Sequence, residues 1–208
     1  MKVALFGHGQ VGGALARAFS RAGMDVTLAV SQERAAALPG WVAEQKILVA
    51  PPEDACRACD ALVLAIPFPA VEQALPPLRQ ALAGKVVVDC TNPVGPNLTH
   101  GLANTQSGSE FVQSLLPESH VAKCFSVYGF ENFEEPPTHP AAPTMLIAAD
   151  QADAQSTAET LARKTGWMPL HVGPLAHALH LEHMTLLWVK MVRVQGMSPR
   201  TAWALVQD

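Results

Sequence analysis

Gly7, Gly9 and Gly12 stand in the order G-x-G-x-x-G within VALFGHGQVGGALARAF, residues 3–19, between a short apolar run and a stretch with helical spacing. That spacing suits the approach of a dinucleotide pyrophosphate to bare backbone. The first glycine permits the tight turn, the second leaves room for the phosphates, and the third lets the helix pack closely on the strand. Free amides at the start of the helix led by Gln10 would face the phosphates, aided by the helix dipole. His8 reads as filler at an x position of the turn. A second set closes the next apolar run, TLAVSQERAAA, where Val30, Ser31 and Gln32 form the tip, no acid stands at the strand end, and Arg34 follows. A hydroxyl and a guanidinium suit a ribose 2'-phosphate, which accepts paired charge-assisted hydrogen bonds. The pattern favours NADP(H) over NAD(H), with Glu33 the dissenting residue that would reach the ribose or polarise its helix.

Other reactive residues point less sharply. No Ser-His-Asp set, carboxylate pair or catalytic lysine stands out, so no catalytic residue is assigned. Tyr128 is the single tyrosine. It would be the proton donor if the substrate were a ketone or imine, and otherwise would pack over the substrate. His177, His180 and His183 recur every three residues, but such steps drift around a helix and fix no carboxylate partner, so no metal site is assigned. Cys56 and Cys59 form C-x-x-C without a second ligand pair at zinc spacing. With Cys90 and Cys124 they read as free thiols of a reducing compartment.

The elements that must position these residues follow from periodicity. Six short apolar runs, residues 2–7, 25–30, 46–50, 60–67, 85–91 and 120–126, read as strands, continuous in Val, Leu and Ile as strands covered on both faces are. Helical spacing fills 10–23, 31–40, 51–59 and 68–84. Residues 91–109 and 132–143 are rich in Pro, Asn, Gly or Ser and read as long surface loops. A strand at 144–150, a helix at 151–166, a short strand at 167–173 and a long helix at 174–196 complete the chain. The predicted fold is α/β, a Rossmann-type doubly wound and mainly parallel sheet. It forms one compact domain over residues 1–208, with a helical extension from about 174 to 208 docked on it. Met184, Leu187, Trp188 and Met191 make an apolar stripe on the last helix. That stripe reads as core or as a dimer seam, which leaves a homodimer through this helix open.

Composition sets limits. A net charge of -4 and a pI near 6.0 provide no basic stripe, which argues against nucleic acid and acidic membrane surfaces as partners. No apolar run approaches the roughly 20 residues of a membrane span, and the chain begins on a strand pattern instead of a signal peptide, so a cytoplasmic location is expected.

The stretches GHGQVGGALA, DALVLAIPFPAVEQAL, VVVDCTNPVG and VAKCFSVYGFENFEEP, with QGMSPRTAWALV near the end, resemble the coenzyme F-420-dependent NADP oxidoreductases, the last stretch being similar to that family's closing helix. The wider relatives of that family include the nucleotide domains of membrane ferric reductases. The resemblance implies that Gly7, Gly9, Gln10, Val11 and Gly12 cradle the pyrophosphate, that Ala65, Ile66, Pro67 and Phe68 flank the ribose and nicotinamide, and that Asn92 and Pro93 turn beside the nicotinamide ring. It further implies hydride transfer to a small acceptor, with coenzyme F-420 or a flavin as the acceptor. Such a reaction needs alignment and exclusion of water more than acid–base groups. The order of strand ends places Ser126, Tyr128, Gly129 and Phe130 on the far wall of the acceptor pocket. A non-catalytic NADP(H) sensor and an imine reductase of the pyrroline-carboxylate type are the alternatives.

Overall fold

The computed structural model describes residues 1–206. Eight strands, β1 (Lys2–Phe6), β2 (Asp25–Ala29), β3 (Leu48–Ala50), β4 (Ala61–Leu64), β5 (Val86–Asp89), β6 (His120–Lys123), β7 (Thr144–Ala149) and β8 (Met168–His171), form one sheet in the order β3-β2-β1-β4-β5-β6-β7-β8. The first six pair in parallel; β7 runs antiparallel to β6, and β8 runs parallel to β7. Chain order reverses on either side of β1, so the crevice between the ends of β1 and β4 is the topological switch point where doubly wound sheets bind ligands.

Helices α1 (Gln10–Arg21), α2 (Gln32–Ala35), α3 (Trp41–Glu44), α4 (Pro52–Ala58), α5 (Val71–Ala74), α6 (Arg79–Leu82), α7 (Gly108–Leu115), α8 (Ala152–Lys164) and α9 (Ala178–Val189) cover the sheet. Successive strand side chains point to opposite faces. Val3, Leu5, Ala61 and Val63 therefore join one core with Leu15 and Phe19 of α1 and Leu161 of α8. Ala4, Leu62 and Leu64 join the other, with Cys56 of α4, Leu82 of α6 and Val112 of α7. This two-sided burial explains the uninterrupted apolar strands.

Four helical expectations need correction. The predicted 31–40 helix shrinks to four-residue α2, and beyond Pro39 and Gly40 a separate four-residue helix, α3, follows. Pro69, Pro76 and Pro77 break 68–84 into short turns and the helices α5 and α6. The last helix is α9 flanked by a 3-10 turn at Leu175–His177 and a π-helical turn at Lys190–Val194. Residues 195–206, likened to a closing helix, contain none. They run past the start of β7, where the Thr144 amide donates to Trp203 O at 2.9 Å. Residues 207–208 of the expected extension lie outside the described residues.

Candidate functional site

A cleft of ≈ 440 Å³ lies at the switch point, lined by Gly7, His8, Gly9, Gln10, Val11, Arg34, Ala65, Ile66, Pro67, Phe68, Cys90, Thr91 and Asn92. The three glycines do different things there. Gly7 has φ +117°, and a Cβ on it would collide with the Ala65 carbonyl. One on Gly12 would collide with the Gly7 carbonyl. Both are demanded by the protein's own packing. Gly9 is not: its φ of -72° is ordinary, and a Cβ there meets nothing within 4 Å. The space beside Gly9, at the N-terminus of twelve-residue α1, is a cradle that a side chain would fill and an anionic ligand could use.

At the outer end of the cleft, Arg34 is exposed on α2 and forms no ion pair among the described residues. Ser31 begins the same turn, half-buried and just outside the lining, its carbonyl accepting from the Arg34 and Ala35 amides at 3.0 Å.

The inner end lies where β5 and β6 finish. Asn92 Nδ2 donates to Ser126 O at 3.3 Å, while Asn92 Oδ1, Thr91 Oγ1 and Ser126 Oγ are buried without a hydrogen-bond partner among the described residues. Orphaned buried oxygens are costly unless something completes them. Thr91 and Asn92, which line the cleft, therefore fit a polar ligand group. Pro93 sits behind, its carbonyl accepting from Gly101 N at 2.6 Å. Phe68 lines the cleft and meets Phe111 of α7 with ring centroids 5.8 Å apart.

The expected acceptor wall is not assembled as a wall. Tyr128 is buried, stacked on Trp167 at 4.8 Å between centroids, and its hydroxyl donates to the Thr144 carbonyl. Burial also raises its pKa well above the ordinary value of 10.0. Engaged in this way, it has no free proton to offer the cleft. A Cβ on Gly129 would strike the Trp188 ring and Glu131, so this glycine serves packing against α9. Phe130 is half-buried against the core. Of the four, Ser126 is hydrogen-bonded to a cleft residue, its carbonyl accepting from Asn92 Nδ2.

Behind the inner end sits a group of buried charges that sequence reading missed. Lys123, fully buried on β6, donates to Asp89 Oδ2 at 3.2 Å, to Glu182 Oε1 of α9 at 2.8 Å, and to the Thr91 carbonyl. Burial alone would lower its pKa, but the Asp89 and Glu182 carboxylates more than offset this, and the ammonium is held above its ordinary 10.5. With the folded value raised, the stabilisation is complete below about pH 10 and is lost only as pH climbs through the folded value. Asp89 also accepts from Ser109 Oγ at 2.6 Å and the Thr91 amide at 2.9 Å. The signal was available: an ionisable residue inside each of three apolar runs, VVVDC, HVAKC and HLEHMTLL.

The remaining reactive residues carry less. His177 Nδ1 bonds Val172 O at 2.7 Å, and no group of three or more His, Cys, Asp or Glu among the described residues could hold a metal ion. Cys56 and Cys59 are buried free thiols, the former pushed up to about 12 by burial. No helix among the described residues is long and apolar enough to cross a membrane.

Sheet order, switch-point cleft and glycine turn together define a Rossmann-type α/β fold. Residues 2–93 match the family described as NADP oxidoreductase, coenzyme F420-dependent. Over 109 residues, 52% of this chain, the sequence is 35% identical to Metalloreductase STEAP3 of Rattus norvegicus, and 28% identical to Metalloreductase STEAP2 of Homo sapiens. The matched segments amount to 22% and 21% of those longer proteins. A crystal structure of a candidate F420-dependent NADP reductase from Arthrobacter sp. FB24 superposes over 100% of both chains with TM-score 0.89 at 24% identity. A reductive aminase from Aspergillus terreus in complex with NADPH and ethyl levulinate matches 94% of this chain and 62% of its own, with TM-score 0.67 at 20% identity. These structural likenesses establish the shared fold.

Proposed function

We propose that this chain is an NADP(H)-dependent oxidoreductase that passes hydride between nicotinamide and a flat cyclic acceptor, a deazaflavin such as coenzyme F-420 or a flavin. The observation that carries the reading is Gly9, the one glycine of the turn that the protein's own packing does not require. Gly7, Gly9, Gln10, Val11 and Gly12 hold the pyrophosphate with backbone amides. Arg34, with Ser31 beside it, faces the 2'-phosphate. Ala65 to Phe68 flank the ribose and nicotinamide, and Thr91 and Asn92 complete their orphaned oxygens on the cofactor's polar groups. When bound, NADPH supplies the hydride.

The chain's residues align the reactants and exclude water, and neither Tyr128 nor Cys90 is free to offer a proton. Among the cleft residues only His8, Arg34 and Cys90 are titratable, and burial raises the Cys90 thiol well above its ordinary 9.0. Tyr128, the donor an imine or ketone would need, is committed to Thr144. This favours an acceptor that takes hydride without a proton from Tyr128. Phe68 and Asn92, in place of Tyr128 and Gly129, then border the acceptor. Free buried cysteines suit a cytoplasmic setting, and Leu187 on α9 and Val194 in the turn after it, 50% and 68% exposed, support a homodimer through this end of the chain's last helix, which light scattering would test.

Cofactor fluorescence titration tests the nucleotide assignment, and loss of NADPH absorbance in the presence of deazaflavin, flavin, ferric chelate or cyclic imine tests the acceptor. Turnover with a cyclic imine but with neither flavin class would overturn the acceptor assignment. Tight NADPH binding with no turnover on any of them would favour the sensor.

A further inference from the structure

We propose that Lys123 and Glu182 are positioning residues, which with Asp89 and Thr185 fix Thr91 and Asn92 at the inner end of the nucleotide cleft. The proposal rests on the nucleotide reading of that cleft.

Every donor of the Lys123 ammonium is engaged, by Asp89, by Glu182 and by the Thr91 carbonyl. Glu182 accepts the Gly108 amide on both oxygens, at 2.9 and 3.0 Å, and His100 Nε2 at 2.8 Å. His100 Nδ1 in turn accepts from the Leu102 and Asn104 amides at 3.3 and 3.4 Å, which assigns its proton to Nε2 and makes it a donor to Glu182. The start, middle and end of the segment between β5 and α7 are thus tied to one buried group.

That segment needs tying. Asn97, Leu98, Ala103 and Asn104 all have positive φ, 54°, 55°, 52° and 60°, in a region non-glycine residues avoid. Such conformations persist where surrounding contacts over-determine them. One helical turn beyond Glu182, the Thr185 hydroxyl reaches Ser126 O at 2.9 Å, the carbonyl that also receives Asn92 Nδ2. Two side chains on one face of α9 therefore buttress the cleft floor from behind.

Energetics point the same way. Burying charged groups costs much of what their attraction returns, and an apolar trio of similar shape is often at least as stable. Stability alone does not account for the group; its bonds to Thr91, Gly108 and His100 fix geometry.

The test compares two probes on the full-length chain by calorimetric titration: NADPH, which reaches both ends of the cleft, and adenosine 2',5'-bisphosphate, which occupies the outer end alone. Glu182→Gln and the pair Lys123→Met with Glu182→Gln are expected to lower NADPH affinity about tenfold, and Thr185→Val about threefold, with the bisphosphate held within about twofold. If the charge variants do not fold, near-isosteric Thr185→Val decides alone. Equal loss for both probes, or NADPH binding unchanged in folded variants, overturns the positioning role. Wild-type protein that binds neither probe overturns the nucleotide reading itself, and this proposal falls with it.

Discussion

The two ends of the cleft are built on opposite principles. The outer end is one exposed guanidinium on a four-residue helix, with the Ser31 hydroxyl just before it and no ion pair to hold Arg34 among the described residues. The inner end is a pair of lining residues held by a fully buried ammonium, two buried carboxylates and a histidine. The contrast teaches where preorganisation matters. A phosphate dianion draws an exposed arginine to itself, so charge can be read from a short surface element. A ring that must face its reaction partner cannot rely on attraction, and its neighbours have to be in place beforehand.

The sharpest way to break this comparison is between the ends, at Gly9. Gly9→Val should lower affinity for NADPH and NADH alike by on the order of a hundredfold, the equivalent of about 3 kcal/mol of charge-assisted bonds, with thermal unfolding barely moved. Gly12→Val, by contrast, should damage folding, because its side chain runs into the Gly7 carbonyl. Retained nucleotide binding in a folded Gly9→Val protein would remove the pyrophosphate from this turn.

Next in size is Arg34→Ala, expected to weaken NADPH about tenfold and leave NADH untouched, since its partner exists only on the former. Parallel titrations with the two cofactors check it, and equal loss for both would deprive the outer end of its charge-reading role.

Tyr128→Phe addresses the wall that did not form. It removes the hydroxyl bonded to Thr144 and should destabilise the fold by about 1 kcal/mol while cofactor binding and turnover persist. A large fall in kcat at unchanged stability would return Tyr128 to the acceptor site.

The smallest effect belongs to the back of α1, away from the cleft lining. Arg17 and Arg21 of α1 grip Glu134, at 2.7 and 2.8 Å, and hold its carboxyl below the usual 4.5, the Arg17 hydrogen bond contributing most. Because the folded value is the depressed one, the grip is complete above about pH 4.5 and fades as acid passes through the folded value. Glu134→Gln should flatten the acid limb of the stability profile and cost less than about 1 kcal/mol at neutral pH, as half-exposed pairs do. An unchanged acid limb would detach the 132–143 loop from α1.

How far the sequence revealed this arrangement depends on the kind of signal. Strand runs and the glycine turn were legible because each is a local pattern whose physics is complete within a few residues. Helix α7 was not: residues up to Ser109 read as loop. The signal was a capping box, with the Glu110 amide donating to Ser107 Oγ at 3.0 Å and the Glu110 carboxylate accepting the Ser107 amide at 2.8 Å. Of the site, the glycine turn, Arg34, residues 65–68 and Asn92 line one cleft. Lys123 and Glu182 escaped notice because they are 59 residues apart and only the fold makes them neighbours. Tyr128 misled because position after a strand end does not fix which way a side chain turns.

The strand order leaves β3 and β8 as the outermost members of the sheet. An outermost strand offers open amides and carbonyls to any other chain with a free margin, and Met168, 53% exposed on β8, and Leu48, 67% exposed on β3, would add sticky surface to such an encounter. The two margins are guarded differently. On β8 the second residue is Pro169, whose ring nitrogen carries no hydrogen to donate, so an incoming strand finds a gap in the ladder. On β3 the protection is brevity, since three residues give a newcomer little length to zip along. Replacing Pro169 by a β-branched residue would mend the gap on β8 and turn that margin into a template for chain-to-chain assembly.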